Sequence, residues 1–157
     1  MNSVAEFVSQ LGQLSDSEMS HLRQCAGKPM SETVQGFDLF TSIYWRLDRR
    51  RLDKRWLWLG ATMYPWNPLP KGEGSFGMAW RRIRPGKSEE GNRHDQRMFR
   101  IVACGGLDVG PLLFVAIREL RRQGVSVDWT RLITDLHGWS RDGGNVQRKW
   151  AEDYLHN

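Results

Sequence analysis

LRRQGVSVDWTRLITDLHGW, residues 120–139, decides the fold. Leu120 ends an apolar stripe begun by Leu113 and Ile117, and Gly124 then breaks the chain. Asp128 is placed to cap a new helix, and Trp129, Leu132, Ile133 and Leu136 recur at i, i+3, i+4 and i+7. That is the period of a helix face; a half-buried strand would alternate every second residue. The neighbouring segments repeat the pattern. Upstream, Arg97 to Cys104 predicts a helix ending at Gly105-Gly106, and Asp108 is a candidate cap for the helix through Leu113, with Pro111 tolerable in its first turn. Downstream, Asn145 is a candidate cap for a last helix carrying Val146, Trp150 and Tyr154.

Toward the N-terminus the same signals recur. Val4, Phe7, Val8 and Leu11 form one stripe, ending near Gly12. Ser15 or Asp16 caps a second helix with Met19 and Leu22, stopped at Gly27 with Pro29 beyond. Phe37, Phe40, Tyr44 and Leu47 mark a third. Leu52, Trp56, Leu59 and Met63 mark a fourth, stopped by Pro65. PWNPLPKGEGS, residues 65–75, holds three prolines and two glycines and reads as a linker. Phe76, Trp80 and Ile83 resume a helix, and RPGKSEEGNRHD, residues 84–95, predicts a mobile loop. The expected fold is therefore all-α, a helical bundle of about seven to nine short helices. Two small lobes are expected, 1–66 and 67–157. Trp56, Trp129 and Trp150 lie on apolar faces and read as core anchors; Trp58, Trp66 and Trp80 read the same way, with base stacking as the alternative.

Composition narrows the function. With 39% hydrophobic and 26% charged residues the chain is ordinary globular material. It has no apolar run near the ~18 residues of a membrane helix. MNSVAEFVSQLGQL has no basic start and carries Glu6, unlike a signal peptide. Cys25 and Cys104 lie far apart in no recognisable pattern, so a reducing cytoplasm is expected. The net charge of +5 is uneven: residues 1–40 carry −3, residues 41–100 carry +8, and residues 101–157 carry zero. Eighteen of the 23 basic residues are arginine, whose planar fork suits phosphate and base stacking.

No catalytic constellation stands out. Gly72, Gly74 and Gly77 match GxGxxG spacing, but proline-rich sequence precedes them where a dinucleotide site needs a strand. The match reads as accidental. His21 and Cys25 are i, i+4, yet two ligands do not make a zinc site. His94 and Asp95 are adjacent in the polar loop without the convergent acids of a two-metal nuclease. No cofactor or metal is expected.

The basic clusters are more informative. In WRLDRRRLDKRW, residues 45–56, a continuous helix would stack Arg46, Arg50 and Lys54, and also Arg51 and Arg55, on successive turns. Phosphate binding and neutralisation by Asp48 and Asp53 are both open here. Arg81 and Arg82 form a second cluster with Arg84. Arg97 and Arg100 form a third with Arg93, sharing one helix side while Phe99 faces the core. Arg118, Arg121 and Arg122 form a fourth at a helix C-terminus, where cations also complement the dipole. Arg148 and Lys149 complete the set.

In the C-terminal half the order GSFGMAW, RMFRIVA, LRRQGVSVDWTRLITDLHGW and VQRKWAEDY resembles the small subunit of the type I-E CRISPR Cascade complex, the CasB family. SHLRQCAGKP near the N-terminus resembles that family's leucine-arginine helix and following loop. The resemblance covers most of residues 18–155. It implies an all-α, non-enzymatic protein of two helical lobes. Its implied partners are other Cascade subunits, the guide RNA complex, a second copy of itself, and the target and displaced DNA strands of an R-loop. By position, Arg23, Arg97, Arg118, Arg148 and Lys149 match basic places in the family pattern. Gln24 and Gln96 depart from it, standing where many members carry a second arginine; Arg81, Arg82 and Arg100 offer compensation. A reading of another class is an autonomous helix-turn-helix regulator built on residues 129–138 and 146–155, against which stand the loose SRDGGN link and tryptophans on faces expected to be buried.

Overall fold

The computed structural model describes residues 3–26, 28, 37–68, 72–141 and 143–156. Gly27 and Pro29, residues 69–71 of the proline-rich stretch, and Asp142 of SRDGGN lie outside the described residues. Among the described residues there are nine α-helices and no strand. They are α1 Ser3–Leu11, α2 Asp16–Arg23, α3 Phe37–Tyr44, α4 Lys54–Met63, α5 Phe76–Arg82, α6 Glu89–Ala103, α7 Val109–Arg122, α8 Trp129–His137 and α9 Asn145–Leu155. Short 3-10 turns occupy Tyr64–Trp66 and Gly106–Asp108.

Local chemistry explains the starts. Ser15 makes a full capping box: its Oγ accepts from Glu18 N at 3.2 Å, and Ser15 N donates to Glu18 Oε1 at 3.0 Å. Asp128 Oδ1 accepts from Arg131 N at 3.0 Å to open α8. Ser75 Oγ accepts from Met78 N at 3.3 Å to open α5.

α4 lies at the centre, with every residue from Trp56 to Met63 buried. It packs on α2, α7 and α8, while α1 also reaches α8. The hydrophobic core runs from Val4 through Trp58 and Leu113 to Tyr154, so helices from both sides of residue 66 share it. The most extensive helix pair is α5 with α9. Gly77 permits it: a Cβ there would stand 2.1 Å from the Trp150 carbonyl oxygen. Gly72 lets the backbone approach Val127, whose carbonyl carbon would meet a Cβ at 2.1 Å. These two glycines serve packing: Gly72 precedes α5 and Gly77 lies within it, and no strand precedes α5 among the described residues.

Four expectations are corrected. Residues 89–95 are the first turns of α6, because Ser88 Oγ accepts from Gly91 N at 3.2 Å and Glu89 and Glu90 complement the helix dipole. Phe99 is 43% exposed, and the core side of α6 is Met98 and Ile101. Residues 45–53 are a turn, so the continuous basic helix does not form. Asp48 accepts from the Arg50 backbone at 3.2 Å and Asp53 from the Arg55 backbone at 2.9 Å, which favours a turn and a new helix start. Finally, Gly144, in the left-handed region at φ 60°, holds the cap position of α9, and Asn145 is the first helical residue.

Candidate nucleic-acid interface

Trp66 is the organising residue. It ends the 3-10 turn after α4 and is half-buried. Its Nε1 donates to the Arg23 carbonyl oxygen at 2.9 Å, and Arg23 Nη2 donates to the Pro65 carbonyl oxygen at 2.9 Å. The Arg23 and Arg118 guanidinium carbons each lie 5.1 Å from its ring centroid. Phe114 meets it edge-on at 5.3 Å. Cation–π attraction holds a guanidinium in place without cancelling its charge. The C-terminal end of α2, the turn after α4 and one side of α7 are thereby tied together.

Beside Trp66 opens a cleft of about 500 Å³ lined by Arg97, Val115, Arg118, Glu119, Arg121 and Arg122. The structure thus brings Arg97, Arg118, Arg121 and Arg122 together with Trp66, and Arg23 joins them through the ring. Arg23, Arg97, Arg118 and Arg121 form no ion pair among the described residues. Arg122 differs: its Nε donates to Glu119 Oε2 at 3.0 Å. That hydrogen bond, with one from Gln123, holds the Glu119 carboxyl down to about 2. Arg100 is exposed one helical turn from Arg97.

The remaining predicted cations lie elsewhere. Arg81 and Arg82 line a smaller cleft of about 240 Å³ with Met78, Asp153 and His156, and Arg81 Nη1 donates to the Tyr154 carbonyl oxygen at 2.6 Å. Lys149 pairs with Asp153 at 3.2 Å, and Arg148 donates to the Gly143 carbonyl oxygen. Arg50 pairs with Asp48 at 2.9 Å, while Arg51 is exposed in the turn before α4. Neutralisation by a neighbouring acid, left open for residues 45–56, is realised for Arg50 and for Arg55.

Other candidates resolve into structure. His94 stacks on Trp80 at 4.0 Å, its Nε2 2.7 Å from the Trp80 carbonyl oxygen; burial pushes its pKa down. Asp95 receives Arg84 through Nε at 2.8 Å and Nη2 at 2.9 Å, and the Tyr154 hydroxyl donates to it as well. Cys25 is buried, its thiol 3.7 Å from the His21 carbonyl oxygen. Among the described residues no three His, Cys, Asp or Glu side chains gather as a metal site, and no helix is long and apolar enough to cross a membrane. Trp58 and Trp80 are core. Reasoning from sequence missed the role of Trp66, although its place in a proline-rich stretch, off any apolar stripe, set it apart.

The architecture defines the class: an all-helical protein with the fold of the CasB structures. The "Crystal structure of M. ruber CasB" matches with a TM-score of 0.77 at 18% identity, covering 98% of this chain and 93% of that one. CasB from Thermobifida fusca matches at 0.73 and 16%, over 99% of both chains. A chain of a structure described as "CRISPR RNA-guided surveillance complex" matches at 0.79 and 19%, over 98% of this chain and 91% of that one. The model of the CRISPR-associated protein Cse2 family matches residues 18–155, and the chain belongs to that family. A search among curated proteins finds no match.

Proposed function

We propose that this chain is a non-catalytic subunit of an RNA-guided CRISPR surveillance complex, working in the cytoplasm in antiviral defence. In this reading it holds target and displaced DNA strands and stabilises the R-loop. Its partners are the other subunits, the guide RNA complex and a second copy of itself. Family membership supports the setting. The observation that carries the chemistry is the cluster of Arg23, Arg97, Arg118 and Arg121 at the Trp66 cleft, none of them ion-paired among the described residues.

R-loop formation exchanges a DNA duplex for a hybrid of similar stability, so a modest protein contribution tips it. Guanidinium groups supply that contribution by displacing counterions from phosphates, with no dependence on base identity. The test is a surveillance complex reconstituted with this chain or with Arg97→Ala/Arg118→Ala. The variant is expected to incorporate normally and to shorten the lifetime of the R-loop on a matched target, more so at higher salt. Equal lifetimes from equally loaded complexes overturn the reading. Footprinting on duplex DNA separates the regulator alternative, which alone requires a protected half-site.

A further inference from the structure

A second aromatic-cationic site sits at the opposite end of α4. Trp45 follows directly on α3 and is 59% exposed, whereas every other tryptophan is buried or half-buried. The Arg49 guanidinium carbon lies 4.1 Å from its ring centroid, and Arg49 Nη1 donates to the Trp45 carbonyl oxygen at 2.9 Å. Tyr44 braces the ring edge-on at 6.1 Å and holds the Lys54 ammonium 5.5 Å from its own centroid. Asp48 and Asp53 are engaged by Arg50 and Arg55. Arg46, Arg49, Arg51 and Lys54 are left without an ion pair among the described residues.

We propose that Trp45, through the ring face that Arg49 does not cover, is a stacking platform for an unpaired base of single-stranded DNA, with Arg46, Arg51 and Lys54 receiving the flanking phosphates. A large exposed indole within a strongly cationic turn fits a ligand that is both aromatic and polyanionic. The excess of positive charge in this turn, where Arg46 also feels a nearby acid, Glu18, argues against an apolar peptide as occupant. The choice of DNA rests on the reading above. α4, ten residues and about 15 Å of helix, lies between the Trp45 turn and the Trp66 cleft.

The full chain is titrated with a fluorescent oligothymidylate and with an abasic strand of equal length and charge. Trp45→Ala is expected to weaken oligothymidylate binding about tenfold and to leave abasic binding unchanged. Trp45→Phe is expected to retain most of the affinity. Arg118→Ala is expected to weaken both ligands alike. The Trp45 side chain is exposed, so the melting temperature should be unaltered in Trp45→Ala. Equal loss on both strands, or loss on neither, overturns the proposal, as does a Trp45→Ala chain that binds DNA normally but fails to enter the surveillance complex. A selective Trp45 effect with an inert Arg118→Ala would sink the Trp66-cleft reading and leave this one standing.

Discussion

At the scale of single residues, the distinction that matters is what each arginine rests against. Arg84 lies on a carboxylate, and its guanidinium holds the Asp95 carboxyl down to about 2 from an ordinary 3.8. A depressed carboxylate stabilises the fold fully above the ordinary range, and that stability disappears as pH falls from about 4 toward 2. Asp95→Asn is expected to cost about 1 kcal/mol, allowing for partial exposure, and to flatten the acid limb of a melting-temperature profile between pH 2 and 6. An unchanged acid limb would contradict this assignment. Arg51 is a different case. Its φ of 65° places a side chain where glycine sits without strain. Arg51→Gly should therefore raise unfolding stability by up to about 1 kcal/mol in urea while removing one cation from the Trp45 turn. Pairing of the 45–56 arginines with Asp48 and Asp53 was legible only as one of two open readings, and the structure realises it for Arg50 and Arg55. Asp95 with Arg84 and Tyr154 was not, because Asp95 read as loop and its partners come from the turn after α5 and from α9.

Among the elements, periodicity served best where an apolar face is wide. α1, α2, α4, α7 and α8 were all readable from stripes and breakers, and Ser15 and Asp128 cap as their chemistry demands. α6 was half missed, since in its first turns only Gly91 is fully buried and the side chains that pack inward, His94 and Asp95, are polar, so no apolar stripe announces them. The signal present was Ser88 followed by two glutamates. Ser88→Ala should cost about 1 kcal/mol by the loss of that cap, seen as a lower urea midpoint. The α5–α9 crossing makes a sharper prediction. Gly77→Ala forces a methyl against the Trp150 carbonyl and should destabilise by about 2 kcal/mol or more. The 45–53 turn shows the opposite failure. Arginine and leucine are good helix formers, but two aspartates each offer the backbone an alternative partner two residues on, and the helix restarts at Lys54.

Over the whole molecule, the uneven charge map was visible in the sequence, but its convergence was not. Arg23, Trp66, Arg97 and Arg118 come from α2, the turn after α4, α6 and α7, and only the packing of those elements around the core brings them to one cleft. The fold also divides its cations into those neutralised by acids and those held by aromatic rings or left facing solvent. The ring-held cations sit at the two ends of α4, and unlike the acid-paired ones they are able to exchange counterions with a polyanion.

The measurement that bears most directly on this is the salt dependence of single-stranded DNA binding. Engagement of about four to six phosphates gives a log–log slope of roughly −3 to −4 for the native chain. Arg97→Ala/Arg118→Ala should bind more weakly with a shallower slope, whatever the base sequence. A flat salt response, or a double variant indistinguishable from the native chain, would contradict the account.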